Sequence, residues 1–164
     1  MRPSLRIALP LAGAVLALDQ TTKLLVQANI GPREAIPLIP GYFDLVHVLN
    51  LGAAFGFLNQ EGLGWQRWFF IAASLLACGV IFWLLHSEEG NSRLGASGLG
   101  LVLGGALGNL VDRVRTGLVV DFLDFHVDAW HWPAFNVADM GISCGVLLLI
   151  ASMYGQGRRR NRRD

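Results

Sequence analysis

Residues 94–111 read LGASGLGLVLGGALGNLV, eighteen positions without a charge, closed by Asp112 and Arg113. A helix needs about 20 predominantly apolar residues to cross roughly 30 Å of hydrocarbon, so this stretch predicts a membrane span. Its small residues Ala96, Gly100, Gly104 and Gly108 recur at every fourth position, leaving one helix face as nearly bare backbone. Such a face lets a second helix approach closely.

Working outward, three further stretches have the same character, at about 5–26, 65–85 and 137–154. The first has the basic start and apolar body of a secretory signal peptide, but its periodicity runs past Leu18 into Asp19-Gln20-Thr21-Thr22-Lys23 without a convincing cleavage site. Leu11-Ala12-Gly13-Ala14 resembles a bacterial lipobox that lacks the cysteine, so the segment is expected to stay as an anchor. Trp65 and Trp68 at one end of the second stretch and Trp83 at the other fit the two membrane interfaces. Pro133 introduces the last stretch and an arginine-rich tail follows it.

The composition agrees: 53% of residues are hydrophobic and 15% charged, with a mean hydropathy of +0.47. A soluble domain carries roughly a quarter charged residues. The formal net charge of +1 matters less than its placement, since Arg2, Arg6, Arg158, Arg159, Arg160, Arg162 and Arg163 gather at the two ends. Under the positive-inside rule both termini are cytoplasmic, which requires an even number of spans. The short link 87–92 and the tail 155–164 then lie inside, and the segments 27–64 and 112–136 outside. The arginine tail is explained by topology and anionic lipid, so no nucleic-acid partner is expected. Residues 42–50, bracketed by Pro37, Pro40, Gly41 and Gly52, and residues 118–127 are strand-like. The expected fold is one mainly α membrane domain over 1–164, with four transmembrane helices and a small extracytoplasmic β-sheet.

Cys78 and Cys144 read as small buried hydrophobes without a disulfide. His47, His86, His126 and His131 are too dispersed for a zinc site, and no phosphate-cradling glycine loop is present.

Two acids stand out, Asp121 in Val119-Val120-Asp121-Phe122-Leu123 and Asp139 in Phe135-Asn136-Val137-Ala138-Asp139. A carboxylate near hydrocarbon is costly, so it is paired, protonated or kept for chemistry. Period-two alternation puts Val119, Asp121, Leu123, Phe125 and Val127 on one face and Asp124, His126 and Asp128 on the other. Asp124 and Asp128 therefore read as solvated loop charges, while Asp121 is the polar side chain of an apolar face. Asn136 and Asp139, three residues apart before an apolar helix, also form the pattern of a capping box. Asp19 and Lys23 have the i, i+4 spacing of a helical ion pair. Asn109, Asp112 and Arg113 occupy one side of the outer end of the third span, and Asn50 closes the first strand. All these groups fall in one layer near the outer surface, the pattern of a reactive cavity.

Five blocks in this order resemble the prolipoprotein signal peptidases of bacteria, the signal peptidase II family. They are Asp19-Gln20-Thr21-Thr22-Lys23, Asn50-Leu51-Gly52-Ala53-Ala54-Phe55-Gly56, the run from Gly104 to Arg113, Val120-Asp121-Phe122, and Phe135-Asn136-Val137-Ala138-Asp139. The resemblance implies an aspartic endopeptidase of the inner membrane with its site facing the periplasm. It would remove the signal peptide of a diacylglyceryl prolipoprotein just before the lipidated cysteine. Asp121 and Asp139 match the catalytic pair. Asp19, Lys23, Asn50, Gly104, Asn109, Asp112, Arg113, Asn136 and Ala138 match positions lining or flanking the site. Met140 stands where family members often carry a smaller residue. The resemblance implies a lip segment over the membrane surface beside the small sheet, no metal and no organic cofactor, a lipid environment and a monomer. The competing reading from a different class is a proton-coupled transporter, in which the intramembrane acids and arginine relay charge; such folds usually carry internal repeats and broken helices. A non-catalytic scaffold would account for the small-residue stripe but not for the facing carboxylates.

Overall fold

The computed structural model describes residues 2–50, 65–87 and 92–160, with side chains to residue 155. Four helices among these residues are long and apolar enough to cross a membrane. They are α1 (Pro3–Asn29), α2 (Trp65–Leu84), α3 (Arg93–Arg115) and α4 (Val137–Arg160). The chain also forms strands β1 (Ala35–Ile39), β2 (Phe43–Asn50), β3 (Val119–Val127) and β4 (Trp130–His131). The expected architecture of four spans and a small sheet is the one observed. Of the Asn50-to-Gly56 block only Asn50 is described; residues 51–56, the central part of the 87–92 link and the side chains of the arginine tail lie outside the described residues.

Helix α3 is the hub of the bundle: 67% of its span is buried, against 22% for α1, 6% for α2 and 22% for α4. Its glycines make this possible. A Cβ on Gly100 would stand 2.7 Å from the Ala8 carbonyl oxygen, and one on Gly104 2.6 Å from that of Ala12, so the predicted stripe is the seat of α1. A second bare face, not read from the sequence, meets α4. There a Cβ on Gly98 would stand 2.8 Å from the Gly145 carbonyl oxygen, and one on Gly105 would strike the Ala138 carbonyl. Without a hydrophobic drive between helices in lipid, close backbone contact of this kind supplies the association. At the end of the bundle opposite the sheet, Ser4 Oγ donates to the Leu85 carbonyl at 3.0 Å, and Ser92 Oγ meets Ser152 Oγ at 2.7 Å.

The sheet is antiparallel in the order β1-β2-β3-β4. Pro37 lies within β1, an edge strand, where a missing N–H is tolerated. Val48 pairs with Asp121 and Asn50 with Val119, so the end of β2 lies beside the Asp121 carboxyl. The single Phe135 carbonyl accepts from both the Phe122 and Leu123 N–H groups, at 3.0 and 2.9 Å. That contact pins the entrance of α4 to the strand that carries Asp121.

Three expectations need correction. The alternation along β3 does not separate a wet face from a dry one, because Val119, Val120, Asp121 and Phe122 are all buried between the helix ends and β2. Asp124 is no solvated charge: it is 9% exposed and lies 2.9 Å from His131 Nδ1. The hairpin causes this, since β4 folds back so that His131 pairs with His126, and the two rings stack at 4.7 Å. Cys78 is half-buried but Cys144 is exposed, on a face of α4 that turns away from the bundle; both thiols are free.

Candidate active site

Asn136 organises the site. It immediately precedes α4 and is fully buried, and its side-chain oxygen accepts the Asp139 N–H at 3.0 Å while its own N–H donates to Asp139 Oδ2 at 3.2 Å. This reciprocal pair is the capping box, and it satisfies two otherwise orphaned groups of the first turn. The Asn136 Nδ2 points the other way, donating to Asp121 Oδ1 at 2.7 Å and approaching the Val120 carbonyl at 3.3 Å. One residue thus holds both acids, through its amide arm and its backbone. Each carboxyl has a second amide: Asn50 Nδ2 donates to Asp121 Oδ2 at 3.0 Å, and Asn109 Nδ2 to Asp139 Oδ1 at 2.9 Å.

Burial pushes the Asp121 carboxyl up from its usual 3.8 to about 7; the Asn50 hydrogen bond opposes the rise, and the negative charge of Asp139 adds to it. The shared partner Asn136 places the two acids within electrostatic reach of one another. A carboxyl that keeps its proton near neutrality beside a second carboxyl is the arrangement of a general acid and base.

Behind Asp139 lies a buried ionic cluster built by α1 and α3. Lys23 Nζ contacts Asp19 Oδ2 at 2.9 Å and Asp112 Oδ2 at 2.8 Å, and the expected i, i+4 pair is thereby present. It also donates to Asn109 Oδ1 at 3.0 Å. Asp19 Oδ1 accepts the Ala138 N–H at 2.9 Å, which ties α1 to the first turn of α4. Gln20, not singled out from the sequence, joins the cluster: its Nε2 reaches Asp112 Oδ1 at 3.0 Å, the Gly108 carbonyl at 3.1 Å and Asp19 Oδ2 at 3.2 Å. Being uncharged, Gln20 gave no sign beyond its place inside the Asp19-to-Lys23 block. Asp112 also accepts the Val120 N–H at 3.3 Å, fixing β3 against α3.

The other predicted site residues divide by position. Arg113 turns toward α2, with its guanidinium 5.2 Å over the Phe70 ring and Nη1 3.4 Å from Ser74 Oγ. Its charge still acts on Asp139, Asp112 and Asp121. Its Nε is buried and finds no hydrogen-bond partner among the described residues. Gly104 lies deeper, at the α1–α3 contact, and fully buried Ala138 stands between Gly105 and Gly108. Met140, next to Asp139, is 47% exposed and so creates no crowding inside the site.

Four membrane-length helices, with a closely held acid pair at the end where a small sheet joins them, define a multi-span membrane enzyme. Residues 11–155 match the family model described as signal peptidase (SPase) II. A lipoprotein signal peptidase of Oleidesulfovibrio alaskensis is 47% identical over 154 residues, covering 94% of this chain and 98% of that one. One from Nitratidesulfovibrio vulgaris is 50% identical over 151 residues, 92% of this chain and 91% of that one. A bacterial membrane enzyme solved by the in meso method superposes with a TM-score of 0.79 at 28% identity, covering 92% of this chain and 88% of that one. The chain belongs to the signal peptidase II family.

Proposed function

We propose that this chain is an aspartic endopeptidase that removes the signal peptide from diacylglyceryl prolipoproteins, cutting just before the lipidated cysteine. The observation that carries the reading is the attachment of both Asp121 and Asp139 to Asn136, which gives two carboxyls a common site. One carboxylate activates a water as general base; its protonated partner polarises the scissile carbonyl and later donates to the leaving amine. The proton belongs to the pair rather than to either acid. Asn50 and Asn109 orient the carboxyls, and Arg113 balances the negative charge. This chemistry needs neither metal nor organic cofactor.

The substrate's acyl chains stay in lipid while its signal helix lies among the spans, so binding energy from remote apolar parts orients the peptide bond. The chain acts as a single domain and a monomer in the bacterial inner membrane, with both termini cytoplasmic and the sheet and acid pair periplasmic. The similarity to lipoprotein signal peptidases favours this reading over a proton-coupled transporter.

The test uses the purified protein in liposomes with a purified diacylglyceryl prolipoprotein. Cleavage before the modified cysteine is expected, with none by Asp121→Asn or Asp139→Asn variants that insert and fold. Proton uptake without cleavage would instead establish the transporter.

A further inference from the structure

We propose that Lys23, which touches neither acid of the pair, is a positioning residue that fixes the Asp139 carboxyl through the side-chain amide of Asn109. This rests on the reading of Asp121 and Asp139 as the catalytic pair. The amide of Asn109 has one oxygen and one NH2, and only their order decides what Asp139 meets. Lys23 Nζ stands 3.0 Å from Oδ1 and Asn136 Nδ2 stands 3.3 Å from it. An ammonium has donors and no acceptor, so the atom facing Lys23 has to be the oxygen. The amide nitrogen is then turned onto Asp139 Oδ1 at 2.9 Å. If the amide flipped, an NH2 would face the ammonium and a carbonyl oxygen would face the carboxyl, both repulsive.

Lys23 is itself immobile. It is 2% exposed and held between Asp19 and Asp112, while Asp19 also grips the Ala138 N–H one residue before Asp139. Helix α1 therefore sets both the backbone and the side-chain surroundings of Asp139 without contributing a group to the reacting atoms. The charged groups around Asn109 are Lys23, Asp19 and Asp112 behind it, with Asp139, Asp121 and Arg113 in front.

The experiment is a double-mutant cycle on the reconstituted full chain with diacylglyceryl prolipoprotein as probe. Lys23→Met is expected to lower kcat by about tenfold or more through misplacement of the acid, with KM unchanged. In an Asn109→Ala background, already impaired, Lys23→Met is expected to change kcat by less than about threefold, because the route through Asn109 is gone. Ser4→Ala, which removes the buried bond to the Leu85 carbonyl at the far end of the bundle, is expected to cost stability while kcat stays within about threefold. Should Lys23→Met fail to insert, Lys23→Met with Asp112→Asn keeps the net charge of the cluster and is compared with Asp112→Asn alone. Additive losses in the cycle, or a kcat loss from Ser4→Ala equal to that from Lys23→Met, overturn the positioning role. Cleavage surviving in Asp121→Asn or Asp139→Asn overturns the parent reading instead, so the two failures are distinct.

Discussion

A single asparagine decides how two acids behave. Asn136→Ala removes the cap of α4 and one donor to Asp121, so it should cost about 1 kcal/mol of stability from the cap alone, together with most of the activity. Thermal unfolding in micelles and cleavage assays check the two losses separately. The Asp121 carboxyl yields a pH prediction with a defined sign. Its pKa is raised in the folded state from 3.8 to about 7, so between those values the folded protein holds a proton that the unfolded chain has released. Stability therefore falls as pH rises through that window and levels off above it. Unfolding scans from about pH 4 to about pH 8 should show the slope in the wild type and a smaller one in Asp121→Asn. Cleavage should decline on the alkaline side with a limb near 7, where the acid pair gives up its shared proton. At this scale the capping box and the Asp19–Lys23 pair were legible because each is a fixed spacing on one helix. The burial of Asp124 was not, because it depends on a hairpin register that brings His131 back from seven residues away.

Helices in lipid need contact more than they need apolarity, and the glycines of α3 supply it on two faces. The period-four stripe toward α1 was visible in the sequence because a single helix carries it. The face toward α4 is a matched pair, with Gly98 meeting Gly145 and Gly105 meeting Ala138, and one strand of text does not show which partner arrives. Gly105→Ala would drive a methyl into the Ala138 carbonyl and push the first turn of α4, with Asp139, away from Asn109. A loss of about 1–3 kcal/mol in stability is expected from such overpacking, with a fall in cleavage alongside it. Gly13→Ala and Gly79→Ala, where an added Cβ meets nothing within 4 Å, should leave both unchanged. Thermal unfolding and turnover of the three variants decide the matter.

Taken whole, the molecule turns large apolar side chains outward and buries the polar groups of its site. Leu76, Trp68, Trp83, Leu147 and Met153 are each at least 66% exposed, whereas Asp19, Lys23, Asn109, Asp112, Asp121 and Asn136 are buried. That inversion is the signature of a chain solvated by lipid, and it explains why composition alone indicated the class. The order of the spans was readable from their lengths, while the convergence of four elements on one acid pair required the fold. The orientation makes its own prediction. In a protein with Cys78 and Cys144 replaced by alanine, Asp128→Cys at the β3–β4 hairpin should react with an impermeant thiol reagent added outside. Ser87→Cys, after α2, should react only once the membrane is opened. The claim on which all else depends is that Asp121 and Asp139 act as one unit, and it is tested most directly by cleavage of purified diacylglyceryl prolipoprotein under single-turnover conditions. Asp121→Asn, Asp139→Asn and the double variant, each confirmed folded, should be equally inactive; a single variant that cuts at near the wild-type rate would contradict the account.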